Sequence, residues 1–584
     1  MLTRFLILAG FDGAALQDVA DHCGQTTGLS IQFLHRGCVV LASCADVVLD
    51  LQDGRGCIVG TLFPRHGPAR AIFQQDRHWL DEFRNADIVT TLRDRFWGGY
   101  VALALDEAAR AVFRDPSGAV PCYRTPIEHG WAFASDVSLF LDAGFIKPAI
   151  AWSQIPRYLA AKDFPSVATA LENVEEILPG TTVQMQAGGS TAVCVWSPWD
   201  HVPMGNGDDL AQEGERLRRT IDHCTASWAS NVQTPLVALS GGLDSSIVAA
   251  ALNRSGREFS AVTISAGGIG DERAYARAMT EALGCDLIEA DHDLADVDLS
   301  ESAAGHFPKP VGHIHELAYH AAALRAAQAK GASAIFTGNG GDSVFYNSSS
   351  LRPVMDCVKA RGPNMDALRA LKNVAKITEV PALRVAMEVL KQWRQLHRPY
   401  VWRLNLALMT QDARRAITAE ELRHPWLAAQ GACSPGKTGH IAFLLRVQNH
   451  LEGYLRPCGM ALINPLISQP VTELMLSVPS WHMIEGGRDR AVARQAYADR
   501  LPPMVRERRR KGSPSAFAIE LMIAMRQEVH ERLMDGELVA RGYIDRTRLA
   551  AALSQDPAVG EAYVRIMALL DMEAWIAQWQ RRGS

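Results

Sequence analysis

Paired cysteines, long apolar runs and a charge excess are all missing from this chain. None of the 11 cysteines stands at a C-x-x-C spacing, and their number is odd. Both facts argue for reduced thiols and against a disulfide framework or a zinc ribbon. No stretch approaches the ~18 apolar residues of a membrane-spanning helix. The N-terminal run from Phe5 to Ala9 is broken by Gly10, Asp12 and Gly13, well short of a signal-peptide core. A cytoplasmic protein without membrane contact is expected. Lys plus Arg total 59 against 64 Asp plus Glu, a net charge of −5, which advertises no nucleic-acid partner. Any polyanion must be met locally.

What is present is a globular composition, 48% apolar and 21% charged over 584 residues, enough for roughly two to four domains. Residues 1–200 hold short apolar runs with turn punctuation, among them 29-LSIQFL-34, 36-RGCVVLAS-43, 57-CIVGTLF-63, 100-YVALAL-105 and 131-WAFAS-135. They predict stacked or closed antiparallel sheets with some helix. The polar stretch 201–209 reads as a linker. From 210 onward short apolar runs (235-PLVAL-239, 259-FSAVTIS-265, 286-DLIEA-290, 333-SAIFTGN-339) alternate with helical patterns. That alternation predicts a doubly wound parallel sheet, whose ligands bind beyond the carboxyl ends of the strands. The remainder to 584 is mostly helical.

The chemistry is concentrated in 240-SGGLDSS-246, directly after the strand 235-PLVAL-239 and opening a helix. Gly241 and Gly242 let backbone N–H groups point at one anion, Ser240, Ser245 and Ser246 add hydroxyls, and the helix N-terminus adds its dipole. This is a phosphate cradle without the lysine of a Walker A loop. Asp244 places a carboxylate among phosphates, which requires a divalent metal between them. A second loop, 335-IFTGNGGDS-343, ends in Asp342, positioned to reach the same Mg²⁺ from a neighbouring strand. The Ser-Gly-Gly-x-Asp-Ser-Ser string is the signature of enzymes that split ATP between the α and β phosphates, so ATP and Mg²⁺ are the expected cofactors. Leu239, Ser265 and Gly338 are expected to border adenosine.

These loops resemble those of the asparagine-synthetase family. So do 98-GGYVALALDEAARAVFRDPSGAVPCY-123, 132-AFASD-136 and 176-EILPGTTV-183 in the first half, and 501-LPPMVRERRRKGSPSAF-517 near the end. The resemblance implies an α/β chain: an Ntn-glutaminase-like antiparallel β-sandwich remnant over 1–200, then, over 210–584, an ATP-pyrophosphatase (adenine nucleotide α-hydrolase-like) synthetase domain with a large helical part. It also implies that Lys511 is the catalytic lysine, stabilising charge as an adenylate forms and collapses.

Departures from the family pattern point further. Glutamine-dependent members use a cysteine at position 2, activated by its own α-amine; here Leu2 stands there. A glutaminase-inactive scaffold is therefore expected, with the amine nucleophile belonging to a substrate. The implied branches are the β-lactam-type synthetases and the lasso-peptide macrolactam synthetases. At the loop position where asparagine synthetases carry glutamate and the β-lactam branch tyrosine, this chain has Asn339, which cannot titrate. A peptide α-amine, with a pKa of about 7.7–8.0, needs positioning more than a base. The mostly helical stretch between Asp342 and 464-NPLISQPV-471 leaves room for a peptide. The expected activity is thus adenylation of an Asp or Glu side chain in a core peptide, followed by ring closure by the peptide's N-terminal amine. Rival readings are a β-lactam or other small-molecule amide synthetase, ammonia-dependent asparagine synthesis, and a non-catalytic scaffold. The lasso reading implies a precursor or core peptide as substrate, with a leader peptidase and a leader-recognition protein as partners.

Other signals carry less. His313, His315, Glu316 and His320 miss the H-E-x-x-H zinc spacing because Tyr319 fills the last position, and they read as a polar helix start beside the cleft. Asp271 and Glu272 read as helix caps, Glu452 as a structural glutamate, and Trp393, Tyr400 and Trp402 as core.

Overall fold

The computed structural model describes residues 3–10, 13–84, 86–106, 110–128, 130–186, 189–202, 209–265, 271–394, 400–428, 434–451, 453–508, 515–557 and 562–583. It is a mixed α/β structure with two antiparallel sheets and one parallel sheet. Among the described residues no helix is long and apolar enough to cross a membrane, and the described cysteines form no disulfide with one another.

In the first half, one six-stranded sheet runs in the order Glu175–Glu176, Tyr123–Ile127, Gly130–Ala134, Phe5–Gly10, Cys38–Ala42, Ser30–His35. The other runs Gly189–Cys194, Thr181–Gln186, Arg110–Arg114, Phe96–Leu105, Gly56–Pro64, Val48–Asp50. Alternation explains the layering. Phe5, Ile7 and Ala9 meet Val59, Val101, Leu103 and Val112 between the sheets, while Leu6 and Leu8 face Leu16, Ala20 and Cys23 of the covering helix Gly13–Thr27. The strand Phe5–Gly10 is consequently buried throughout, which is why its apolar run is unbroken.

The parallel sheet has the order Asp286–Asp291, Ser260–Ser265, Pro235–Ala238, Ala334–Phe336, Ala461–Ile463. Its faces also alternate. Leu236, Val262 and Ile335 pack on Ala323, Ala326 and Ala327, whereas Val237, Ala261 and Phe336 pack against Ile247 and Ala251 of the helix Leu243–Arg254. The chain first winds outward from Pro235–Ala238 on one side, then returns to add Ala334–Phe336 on the other. The switch point lies between those two strands, where a crevice opens at their carboxyl ends. Both glycine-rich loops leave from there.

The two halves share a core. Leu6, Tyr158 and Leu159 belong to the same apolar cluster as Phe307, Phe517, Trp575 and Trp579. Arg114 and Glu176 of the first half form a buried ion triad with Lys309 of the second, at 3.0 Å and 2.7 Å.

Candidate active site

The strand Pro235–Ala238 carries the chain to Ser240, which turns at Gly241 and Gly242 into the helix Leu243–Arg254. Gly241 adopts φ +64°, and a Cβ there would collide with the Cβ of Tyr275, so the turn requires glycine. Ser240 Oγ lies 3.2 Å from Ser245 Oγ and accepts from the Gly242 N–H at 3.3 Å. These hydroxyls and the first-turn N–H groups of the helix lie together where the spacing predicts an anion cradle. Gly338 of the second loop presses on it: a Cβ at Gly338 would stand 2.5 Å from the Ser245 nitrogen. Gly338 therefore packs directly against the cradle.

Two residues face elsewhere. Leu239 is buried in the core and its N–H donates to the Val262 carbonyl at 2.8 Å, so only its backbone carbonyl remains for a ligand. Ser246 is fully buried, and its Oγ has no hydrogen-bond partner among the described residues. Ser265 ends its strand with Oγ donating to Asp271 Oδ1 at 3.2 Å. Asp271 is held down to about 2 by the side-chain and backbone hydrogen bonds of Arg273, so its carboxylate organises the start of the helix Arg273–Leu283.

Asp244 and Asp342 do come together, and what joins them is a residue the spacing did not reveal. Arg490 Nη1 lies 3.1 Å from each oxygen of Asp244 and 2.8 Å from Asp342 Oδ1. Arg490 has φ +53° and its Nε donates to Asp489 at 2.6 Å; Arg494 holds Asp489 from the other side at 3.0 Å. Two carboxylates from adjacent loops, both able to approach one cationic centre, fit Mg²⁺ completed by phosphate oxygens and water. Among the described residues no group of three or more acidic, His or Cys side chains could hold a metal ion by itself. The described part of the basic run also reaches the cradle. Arg508 donates to the Gly241 carbonyl at 3.2 Å, pairs with Glu272 at 2.5 Å and lies 4.1 Å over the Tyr275 ring. Lys511 and Glu452 lie outside the described residues, as does Leu2.

The cleft, of about 580 Å³, continues past both loops to a wall of His292, His313, His315, Tyr319, His320, His450 and Tyr454. The polar helix start thus does line the cleft. Burial pushes His315 down to about 4, so it is neutral at pH 7. Burial opposes charge on Glu316, but His313, His320 and His450 outweigh it and hold the carboxyl well below the usual range. The first half of the chain contributes here too, through Lys162 Nζ at 2.7 Å from His313 Nε2. Asn339 donates from Nδ2 to the His450 carbonyl at 3.0 Å. Of the aromatics, Trp402 is core against Phe164, while Trp393 is exposed.

The family model for asparagine synthase matches residues 216–579. The chain belongs to the asparagine synthase family. Over 196 residues it is 30% identical to carboxyethyl-arginine beta-lactam-synthase of Streptomyces clavuligerus, a stretch that makes up 32% of this chain and 33% of that relative. The chain thus matches about a third of the length of this curated relative. Solved structures with a likeness include the allosteric regulatory enzyme of purine biosynthesis, at 12% identity over 50% of this chain and 80% of that one, TM-score 0.22. Glutamine phosphoribosylpyrophosphate amidotransferase from B. subtilis matches at 11% identity over 57% and 90%, also with TM-score 0.22. At these TM-scores neither bears on function. All the described residues of the cradle, the second loop and the Arg490 bridge fall inside the asparagine synthase match.

Proposed function

We propose that this asparagine synthase family member is an ATP-dependent amide ligase that adenylates a carboxyl group and transfers the acyl group to an amine. The observation that carries the reading is the convergence of Asp244 and Asp342 beside the Ser240–Ser245 cradle, at the switch point of the parallel sheet. The cradle holds phosphates, Asp244 and Asp342 hold Mg²⁺, and Ser265 and Gly338 lie on the nucleotide side. Bound Mg²⁺ neutralises phosphate charge and favours departure of pyrophosphate. Lys511 is assigned the reacting charge on the resemblance alone.

The finer proposal is a macrolactam synthetase acting on a core peptide, joining an Asp or Glu side chain to the N-terminal amine to give a lasso peptide. Asn339 supports it, since its amide fastens the His450 turn and takes no proton. Support also comes from the helices Arg352–Arg361, Met365–Thr378, Ala382–Trp393 and Pro435–Gln448, which lie between Asp342 and Asn464 in sequence and supply material for a peptide-sized wall. In this reading the first half is a scaffold, and a leader peptidase and leader-recognition protein prepare the substrate. The identity to a β-lactam synthase favours a second reading, closure of a ring in a small amino-acid-like substrate. Pyrophosphate release with candidate substrates separates the two. Turnover with leader-free peptides supports the macrolactam; turnover with amino-acid-sized substrates alone overturns it.

A further inference from the structure

Two side chains on the cleft wall and one from the first half of the chain form a hydrogen-bond relay that the family motifs do not include. His450 Nδ1 lies 2.8 Å from the Tyr454 hydroxyl, and His450 Nε2 lies 3.3 Å from Asp163 Oδ1. His450 and Tyr454 belong to the segment after the helix Pro435–Gln448, and Asp163 follows the helix Ile155–Ala161 of the first half.

The partners set the proton positions. Burial works against charge on Asp163, yet the hydrogen bond from His450 and the nearby Lys162 ammonium bring it down to about 2, so at neutral pH it is an acceptor only. Nε2 of His450 then carries the hydrogen, and Nδ1 turns its lone pair to the Tyr454 O–H. The relay is held in place from three directions. Tyr454 stacks on His320 with ring centres 5.2 Å apart, His450 lies 5.8 Å from His313, and Asn339 grips the His450 carbonyl. Both His450 and Tyr454 line the cleft that contains Ser240, Asp244 and Asp342.

We propose that Tyr454, acting through His450 and Asp163, accepts the proton of the attacking amine in the second step of the reaction. The inference rests on the acyl-adenylate reading above. The amine nitrogen bonds to the acyl carbon, the bond from that carbon to the AMP oxygen breaks, and AMP leaves with the electron pair. The amine proton passes to the Tyr454 oxygen while the tyrosine's own proton moves to His450 Nδ1. The resulting imidazolium faces the Asp163 carboxylate, which stabilises it. Tyr454 is the catalytic residue; His450 and Asp163 position and polarise it. Asn339 occupies the loop position at which the family's other branches carry a titratable residue, and here it clamps the relay instead. The first half of the chain thereby supplies an acceptor-site group.

Hydroxylamine tests this, because it is neutral at pH 7 and captures an acyl-adenylate as a hydroxamate without a base. The full-length protein is given ATP, Mg²⁺ and a panel of leader-free peptides and free amino acids, and is assayed for amide product, for pyrophosphate, and for hydroxamate when hydroxylamine is added. Tyr454→Phe is expected to lower amide formation by ~100-fold, the scale of general base catalysis, with hydroxamate formation within about twofold of wild type. Asp163→Asn is expected to slow the amide step while hydroxamate formation stays within about twofold of wild type. Lys162, His313, Glu316 and His320 also face this group and remain unchanged. Tyr454→Phe closing the amide at the wild-type rate overturns the relay. So does an equal fall in amide and hydroxamate, which marks a structural role. Wild-type protein that makes neither pyrophosphate nor hydroxamate with any substrate overturns the ligase reading itself, and the relay falls with it.

Discussion

Arg490 donates from a single nitrogen to both carboxylate oxygens of Asp244, each at 3.1 Å. Both side chains are nearly buried, at 6% exposure each. A buried carboxylate in such a pair depends on its partner, because removing one member leaves an uncompensated charge that costs ~3–5 kcal/mol. The same nitrogen reaches Asp342, so the guanidinium sits between the two carboxylates that are proposed to take Mg²⁺.

Arg490→Ala is therefore expected to melt well below wild type in metal-free buffer. Added Mg²⁺ raises the melting temperature of the variant more than that of wild type, because the ion supplies the missing charge between Asp244 and Asp342. Thermal unfolding with and without Mg²⁺ reads this. An equal Mg²⁺ response in both proteins would show that ion and guanidinium do not share a position.

Asp342 is the more exposed carboxylate, at 44%, and it bonds to Asn347 as well as to Arg490. Asp342→Asn keeps an acceptor oxygen, so the fold is expected to lose less than ~1 kcal/mol. Substrate-dependent pyrophosphate release falls by on the order of 100-fold, as when one preorganised charge-stabilising group is removed. A folded variant releasing pyrophosphate at the wild-type rate would remove Asp342 from the metal site.

What could be read in the sequence follows from physical range. The strands Pro235–Ala238 and Ser260–Ser265 and the helix Leu243–Arg254 were legible because each is a mostly apolar run buried along most of its length and bounded by glycine-rich punctuation. The strand Ala461–Ile463 was not, since three half-buried residues carry no period. A helix start rotates successive side chains by about 100°, so Ser245 Oγ reaches Ser240 Oγ while Ser246 Oγ is buried with no partner among the described residues. Arg490 and Asp163 left no local trace. Each joins the site through tertiary contact across hundreds of residues, and an arginine or aspartate in a loop looks the same whether it faces a carboxylate, a histidine or water.

Asp571 gives a pH signature. It is fully buried, accepts from Ser302 Oγ at 2.9 Å and from the Ala303 N–H at 3.2 Å, and burial pushes it up to about 6. A raised carboxyl pKa means that the folded chain keeps a proton which the unfolded chain has already released. Between about pH 4 and pH 6 the unfolded state thus binds fewer protons, and stability falls as pH rises through that window, by about 3 kcal/mol for this group. Asp571→Asn removes that slope while keeping an acceptor oxygen. Urea denaturation from pH 4 to pH 7 is expected to show a smaller decline for the variant. Parallel curves would mean that Asp571 is ionised in the folded protein throughout.

The last prediction concerns how the first half of the chain reaches the acceptor wall. Arg114 and Lys309 grip the two oxygens of Glu176 at 3.0 Å and 2.7 Å, Lys309 continues to Asn449 Oδ1 at 3.3 Å, and Asn449 Nδ2 donates to the Lys162 carbonyl at 2.9 Å. Asn449 precedes His450 and Lys162 precedes Asp163, so this buried network sets the spacing of the relay. Lys309→Met breaks it while Glu176 keeps Arg114, so the buried charge stays balanced and the expected cost is that of lost charge-assisted hydrogen bonds, ~1.5–3 kcal/mol. Adding Glu176→Gln leaves Arg114 buried without its anion and is expected to cost a further ~3–5 kcal/mol. Lys309→Met is expected to slow amide formation more than hydroxamate capture. If Lys309→Met loses stability but closes the amide at the wild-type rate, Lys309 serves the fold alone, and the distance between Asp163 and His450 is set by other contacts.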